Sequence, residues 1–251
     1  MNDLCYNDLF VQDEGFCAVD NFNSTIGLLG NSEKQFVTFH PINESEGDFF
    51  FNLNVSQSLA SHFYVTSENV TEFTNAYSLF FMSVGNNDIA SNEAASIIER
   101  LVQDIFNSEI NVDFMNIFAS ATSNNSKLNQ HWHTDHYGEK LGYAVFFTLK
   151  GTGTLFCELS GDTAKRAEKI EIISNSHGNF NFTKIGKEGF FDQQHKLCNI
   201  SDGDKVFQSQ ALFPVIAKTG DKSSSTVHSP AFLKEDEKRL AITIDIACKH
   251  G

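Results

Sequence analysis

Proline is scarce, with 3 residues in 251, so no proline-rich linker divides the chain. No C-x-x-C pair occurs either. The five cysteines (Cys5, Cys17, Cys157, Cys198 and Cys248) are scattered and odd in number, which fits reduced thiols better than a disulfide framework. No stretch of eighteen apolar residues is present, so no membrane span is expected. The first thirty residues lack the basic segment and apolar run of a secretory signal, and a cytoplasmic location is therefore expected. Positive charge is short: 18 Lys and Arg stand against 32 Asp and Glu, a formal net charge of −14. Such a surface is a poor match for a phosphate backbone, so nucleic acid is not an expected partner. The Asn-x-Ser/Thr triplets at Asn54 and Asn69 read as consequences of composition in a chain without a signal.

What is present is enough apolar material for a sizeable core, 41% of the residues including 25 phenylalanines. The expected organisation is a single domain over 1–251: mixed helical and strand support over 1–110, then a core over 111–251. Spacing predicts a helix from Ser91 to Phe106, where Ile97, Ile98, Leu101, Val102, Ile105 and Phe106 recur every three or four residues and Ser91 is a candidate N-cap. QFVTFHP (35–41), FFFNLNV (49–55) and LFFMSVG (79–85) read as strands or buried edges. Beyond residue 110 short β-type runs follow at 113–122, 142–151, 153–161, 169–174, 211–218, 226–230 and 239–247. Gly151 and Gly153 mark one turn, and 218–222 another. The fold class predicted is mainly β with flanking helices, a sandwich or jelly roll.

Residues 131–136, HWHTDH, concentrate three histidines and an aspartate. In an extended chain alternate side chains share a face, so His131, His133 and Asp135 would point one way and His136 the other. Two imidazoles and a carboxylate on one face of an octahedron form the facial triad of non-haem Fe(II) oxygenases. The best candidate for the second imidazole is His228, in the β-like TVHSP. Arg239 begins the alternating run RLAITIDIA, and its planar fork suits a carboxylate. The preceding charges, Lys234 to Lys238, read as a solvated run.

The ordered set His133-x-Asp135, His228 and Arg239 resembles the Fe(II)/2-oxoglutarate-dependent dioxygenases, over roughly residues 110–250. That resemblance implies a double-stranded β-helix core, with Fe(II) and 2-oxoglutarate as cofactors. It also implies His133, Asp135 and His228 as iron ligands and Arg239 on the far carboxylate of 2-oxoglutarate. Retention of Asp135, which members admitting a halide replace by a small residue, implies hydroxylation or a related oxidation. His131 is a candidate for orienting a ligand or the cosubstrate, and His136 for a structural role at the pocket rim.

Three rivals are weaker on the residues. A cupin first motif would need a shorter gap than that from His133 to Glu139, and its second motif is missing around His228. A hydrolase would need a nucleophile elbow, and none is found. GTGTLF is a hairpin turn with no following G-K-S/T, not a phosphate loop. A binding module that had lost catalysis would be expected to lack a ligand. The expected activity is hydroxylation of a small polar substrate such as a free amino acid, with O2 consumed. A protein or peptide side chain is the alternative substrate.

Overall fold

The computed structural model describes residues 22–31, 36–39, 41–122, 133–134, 142–162, 165, 204–219, 226–229 and 237–249. Four helices precede most of the sheet: α1 (Phe22–Asn31), α2 (Glu44–Asn52), α3 (Val70–Ser83) and α4 (Asp88–Phe106). Two short strands lie among them, β1 (Phe36–Thr38) and β2 (Leu59–Val65).

The remaining strands are β3 (Val112–Thr122), β4 (His133–Thr134), β5 (Gly142–Lys150), β6 (Leu155–Glu158), β7 (Lys205–Gln208), β8 (Val215–Thr219), β9 (Val227–Ser229) and β10 (Arg239–Cys248). Two sheets result, a six-stranded one ordered β1-β8-β5-β10-β3-β2 and a four-stranded one ordered β4-β9-β6-β7. The pairings among the last eight strands are nested and antiparallel: β6 with β7, β5 with β8, β4 with β9, and β3 with β10. A hairpin whose two arms wind together, passing alternately into each sheet, is a double-stranded β-helix. The jelly-roll core expected from the sequence is therefore present.

The two sides of the larger sheet do different work. On its outer side Leu240, Ile242, Ile244 and Ile246 of β10, with Met115, Ile117, Ala119 and Ala121 of β3, are buried in one cluster with the helices. On its inner side Phe36, Ala144, Phe146, Val215 and Ala217 meet Phe156 and Phe207 of the smaller sheet. Alternation along each strand separates these two sets.

The helix predicted from Ser91 begins three residues earlier. Asn87 is the N-cap, its side chain accepting from the Ala90 amide at 2.9 Å, and Ser91 is buried within the helix. Two predicted strands are helices instead. FFFNLNV overlaps the end of α2, which Asn43 and Glu46 start as a reciprocal capping box. LFFMSVG overlaps the end of α3, where Tyr77, Phe80 and Phe81 are buried with helical spacing. In both, a run of aromatics mimicked a strand while the cap lay upstream. Residues 211–214 precede β8 as a turn, with Leu212 at φ 73°. Strand β7 was not anticipated, and the predicted strand at 169–174 lies outside the described residues. Among the described residues no helix is long and apolar enough to cross a membrane.

Candidate metal and cosubstrate site

His228 occupies the middle of β9, flanked in register by Phe156 of β6 on one side and by the backbone of His133 in β4 on the other. His133, 95 residues away in sequence, is thus brought directly across from His228 by strand pairing. His228 is only 3% exposed. Its ring lies 4.5 Å from that of Phe146 and 6.3 Å from that of Phe156, centroid to centroid. Nδ1 sits 3.2 Å from the Thr226 carbonyl oxygen. A carbonyl can only accept, so Nδ1 carries the proton and Nε2 is the lone-pair nitrogen. A backbone carbonyl fixing the tautomer in this way is how metal-binding imidazoles are oriented.

Asp135, His131 and His136 lie outside the described residues, as does the side chain of His133. Among the described residues alone, no group of three or more potential metal-binding side chains is found.

Arg239 opens β10 on the inner side of the large sheet and is 6% exposed. Its Nε donates to the Thr152 carbonyl at 2.9 Å, and its Nη2 lies 3.2 Å from Thr154 Oγ1 and 3.5 Å from Thr148 Oγ1. All three partners are neutral. No carboxylate of the described residues is among the hydrogen-bond partners of Arg239. Burial pulls the guanidinium down to about 10, while the charge of Glu237 acts in the opposite sense. At neutral pH the group remains a cation, held where water cannot solvate it.

Thr148 and Thr154 reach this corner through two local features. The pairing of β5 with β10 slips between Leu240 and Ala241, opposite Lys150 and Thr148, and such a bulge re-aims side chains. The tight turn after β5 then brings Thr154 back toward Arg239. Gly151 in that turn has φ +84°, and a Cβ there would lie 2.5 Å from the Lys238 carbonyl oxygen. A Cβ on Gly153 would fall 1.7 Å from the Ser209 carbonyl oxygen. Glycine is required at both positions.

Sequence reasoning singles out His228 and Arg239 but not Thr148, Thr152, Thr154 and Glu237, which surround Arg239 or its partner. Glu237 reads in the sequence as part of the solvated run, yet its carboxylate accepts from the Thr152 amide at 2.7 Å and from the Thr152 hydroxyl.

No protein-family model matches the sequence, and no curated protein is significantly similar to it. Solved structures with a similar course of chain include the three that follow. A prolyl-4-hydroxylase of Pseudomonas putida is 10% identical, with 91% of this chain and 99% of that chain covered and a TM-score of 0.39. The dioxygenase for auxin oxidation 1 of Arabidopsis thaliana, in a binary complex with 2-oxoglutarate, is 12% identical, with 94% and 92% covered and a TM-score of 0.46. EvdO2 of Micromonospora carbonacea var. aurantiaca, complexed with 2-oxoglutarate, is 8% identical, with 92% and 93% covered and a TM-score of 0.40.

Proposed function

We propose that the protein is an Fe(II)- and 2-oxoglutarate-dependent oxygenase that hydroxylates a small polar substrate, a free amino acid being the first class to test. The observation that carries this reading is the inner corner of the jelly roll. A buried guanidinium is held there by a carbonyl and two hydroxyls, with no carboxylate from the described residues. Such a cation is costly unless a counter-charge arrives, and a ligand carboxylate gripping its fork would supply one. A cupin-type metal site would have no use for it.

The donor set suits ferrous iron. His228 presents Nε2 as the lone-pair nitrogen, the backbone of His133 pairs with that of His228, and Asp135 follows two residues on in sequence. Two imidazoles and one carboxylate are the ligands of a facial triad, which leaves three positions for cosubstrate and oxygen. When bound, iron and 2-oxoglutarate supply the oxidising chemistry. The chain's own part is to hold and to exclude. Thr226 fixes the His228 tautomer, Phe146 and Phe156 keep the ring dry, and Arg239 with Thr148 and Thr154 fixes the remote carboxylate. His131 has a supporting role as an orienting residue beside the triad.

The small-substrate reading draws on the acidic composition and on a single jelly-roll core spanning the second half of the chain. A protein or peptide side chain is the alternative. Protein reconstituted anaerobically with Fe(II) should bind one iron per chain. On admission of oxygen it should convert 2-oxoglutarate to succinate, faster in the presence of the correct amino acid. Iron binding that survives both His133→Ala and His228→Ala would overturn the ligand assignment. Absence of 2-oxoglutarate-dependent succinate across amino-acid and metabolite pools, and across peptide pools, would overturn the function.

A further inference from the structure

We infer that Glu237 is a positioning residue that acts through the Thr152 turn to lock the guanidinium of Arg239, and so sets the length of dicarboxylate the site accepts. This rests on the reading of Arg239 as the cosubstrate anchor.

The chain of contacts is short. Glu237 accepts from both the amide and the hydroxyl of Thr152. The carbonyl of the same Thr152 accepts from Arg239 Nε at 2.9 Å. The turn cannot drift, because Gly151 packs against the Lys238 carbonyl and Gly153 against that of Ser209. The Ser209 amide also donates to the Thr154 carbonyl at 2.8 Å. Glu237 therefore holds Thr152 by its amide and its hydroxyl, and the carbonyl of that same residue is the one that touches Arg239 Nε.

A guanidinium can grip a carboxylate bidentately along either of two edges, through Nε and one Nη or through both Nη atoms. With Nε committed to Thr152 and Nη2 shared with the hydroxyls of Thr154 and Thr148, the Nη1 end of the guanidinium is what is left to lead the grip on a ligand. A ligand carboxylate must then meet the guanidinium head-on, against an anchor that cannot shift to suit it. The five-carbon 2-oxoglutarate and the six-carbon 2-oxoadipate differ by one methylene, and a rigid anchor discriminates against the wrong length.

Removing Glu237 separates positioning from electrostatics, because the two predict opposite signs. Glu237 is an anion close to an anion-binding cation, so on charge alone its loss should tighten dicarboxylate binding. Loss of positioning should weaken binding and blur the choice of length.

The measurement is the equilibrium Kd of 2-oxoglutarate and of 2-oxoadipate on the full chain, loaded with Mn(II) in place of iron and followed by calorimetry. For Glu237→Ala, 2-oxoglutarate is expected to bind about 5- to 20-fold more weakly, and the preference over 2-oxoadipate to narrow by about threefold or more. Glu237→Gln keeps an oxygen that can accept from Thr152, and should stay within about 2-fold of wild type. Should Glu237→Ala not fold, Thr152→Val removes only the hydroxyl donor and should give the same change in preference at about 2- to 5-fold weaker binding. Tighter binding, or an equal loss for both acids, would overturn the inference. So would wild-type values for the variant that folds, provided Arg239→Met binds 2-oxoglutarate poorly. If Arg239→Met itself binds like wild type, the anchor reading falls first.

Discussion

The two faces of β10 show how one strand serves two ends. Leu240, Ile242, Ile244 and Ile246 face outward and are buried against the helices. Arg239, Ala241, Thr243 and Asp245 alternate with them and face the inside of the jelly roll, on the side of Thr148 and Phe146. The outer set is uniformly aliphatic and maximises burial. The inner set is mixed, and its first member is a buried charge that hydrophobic packing would never select. Stability is concentrated on one face, and the capacity for recognition on the other.

The contrast can be broken most forcefully from the outer face. Ile244 is fully buried, so Ile244→Ala should cost about 2–5 kcal/mol of unfolding free energy through the cavity it leaves. Denaturant melts would show this loss, and 2-oxoglutarate affinity in the folded fraction should stay near wild type.

The inner face should behave in the reverse way. Arg239→Met should weaken 2-oxoglutarate binding by roughly 10- to 150-fold, the equivalent of 1.5–3 kcal/mol for a charge-assisted pair. Its cost in stability should be small. Burial holds the cation down at about 10 in the folded state, well below its ordinary range, and this opposes folding. Losing that penalty offsets the lost hydrogen bonds of the guanidinium, about 1 kcal/mol each. A fall in unfolding free energy above about 2 kcal/mol for Arg239→Met would erase the distinction between the faces.

The pH dependence follows with a definite sign. Both folded and unfolded forms bind the Arg239 proton below about 10, so the stability difference between wild type and Arg239→Met should be flat from about pH 6 to 9. Above about 10 the folded state sheds the proton first, and the wild type should gain relative to the variant. A difference that changes steadily across neutral pH would point to another titrating group.

The smallest effect sharpens the account. Arg239→Lys keeps the charge and loses the fork, and should recover only part of the lost affinity, as titration of the variant with 2-oxoglutarate would show.

The alternation RLAITIDIA made β10 legible in the sequence, and the 3–4 spacing of apolar residues did the same for α4. His133-x-Asp135, His228 and Arg239 were visible as an ordered set because each residue type carries its chemistry with it. Thr148 and Thr154 were not visible, because a threonine in a strand is ordinary. They join the corner only through the bulge opposite Leu240 and the turn at Gly151. Glu237 was hidden for a different reason: in KEDEKR nothing local separates it from its neighbours, and its partner Thr152 is 85 residues away. Helices α2 and α3 were obscured by phenylalanine runs at their C-terminal ends, although Asn43 and Glu46 carried a readable capping box at the start of α2.

The most direct test of the central claim is the Kd of 2-oxoglutarate for Arg239→Met set beside that for Lys238→Ala, both loaded with Mn(II). The two residues are adjacent in sequence, but Lys238 is exposed while Arg239 is buried in the corner with Thr148 and Thr154. The account predicts a loss of roughly 10- to 150-fold for Arg239→Met and wild-type affinity for Lys238→Ala. Equal effects at the two positions, or none at either, would contradict it.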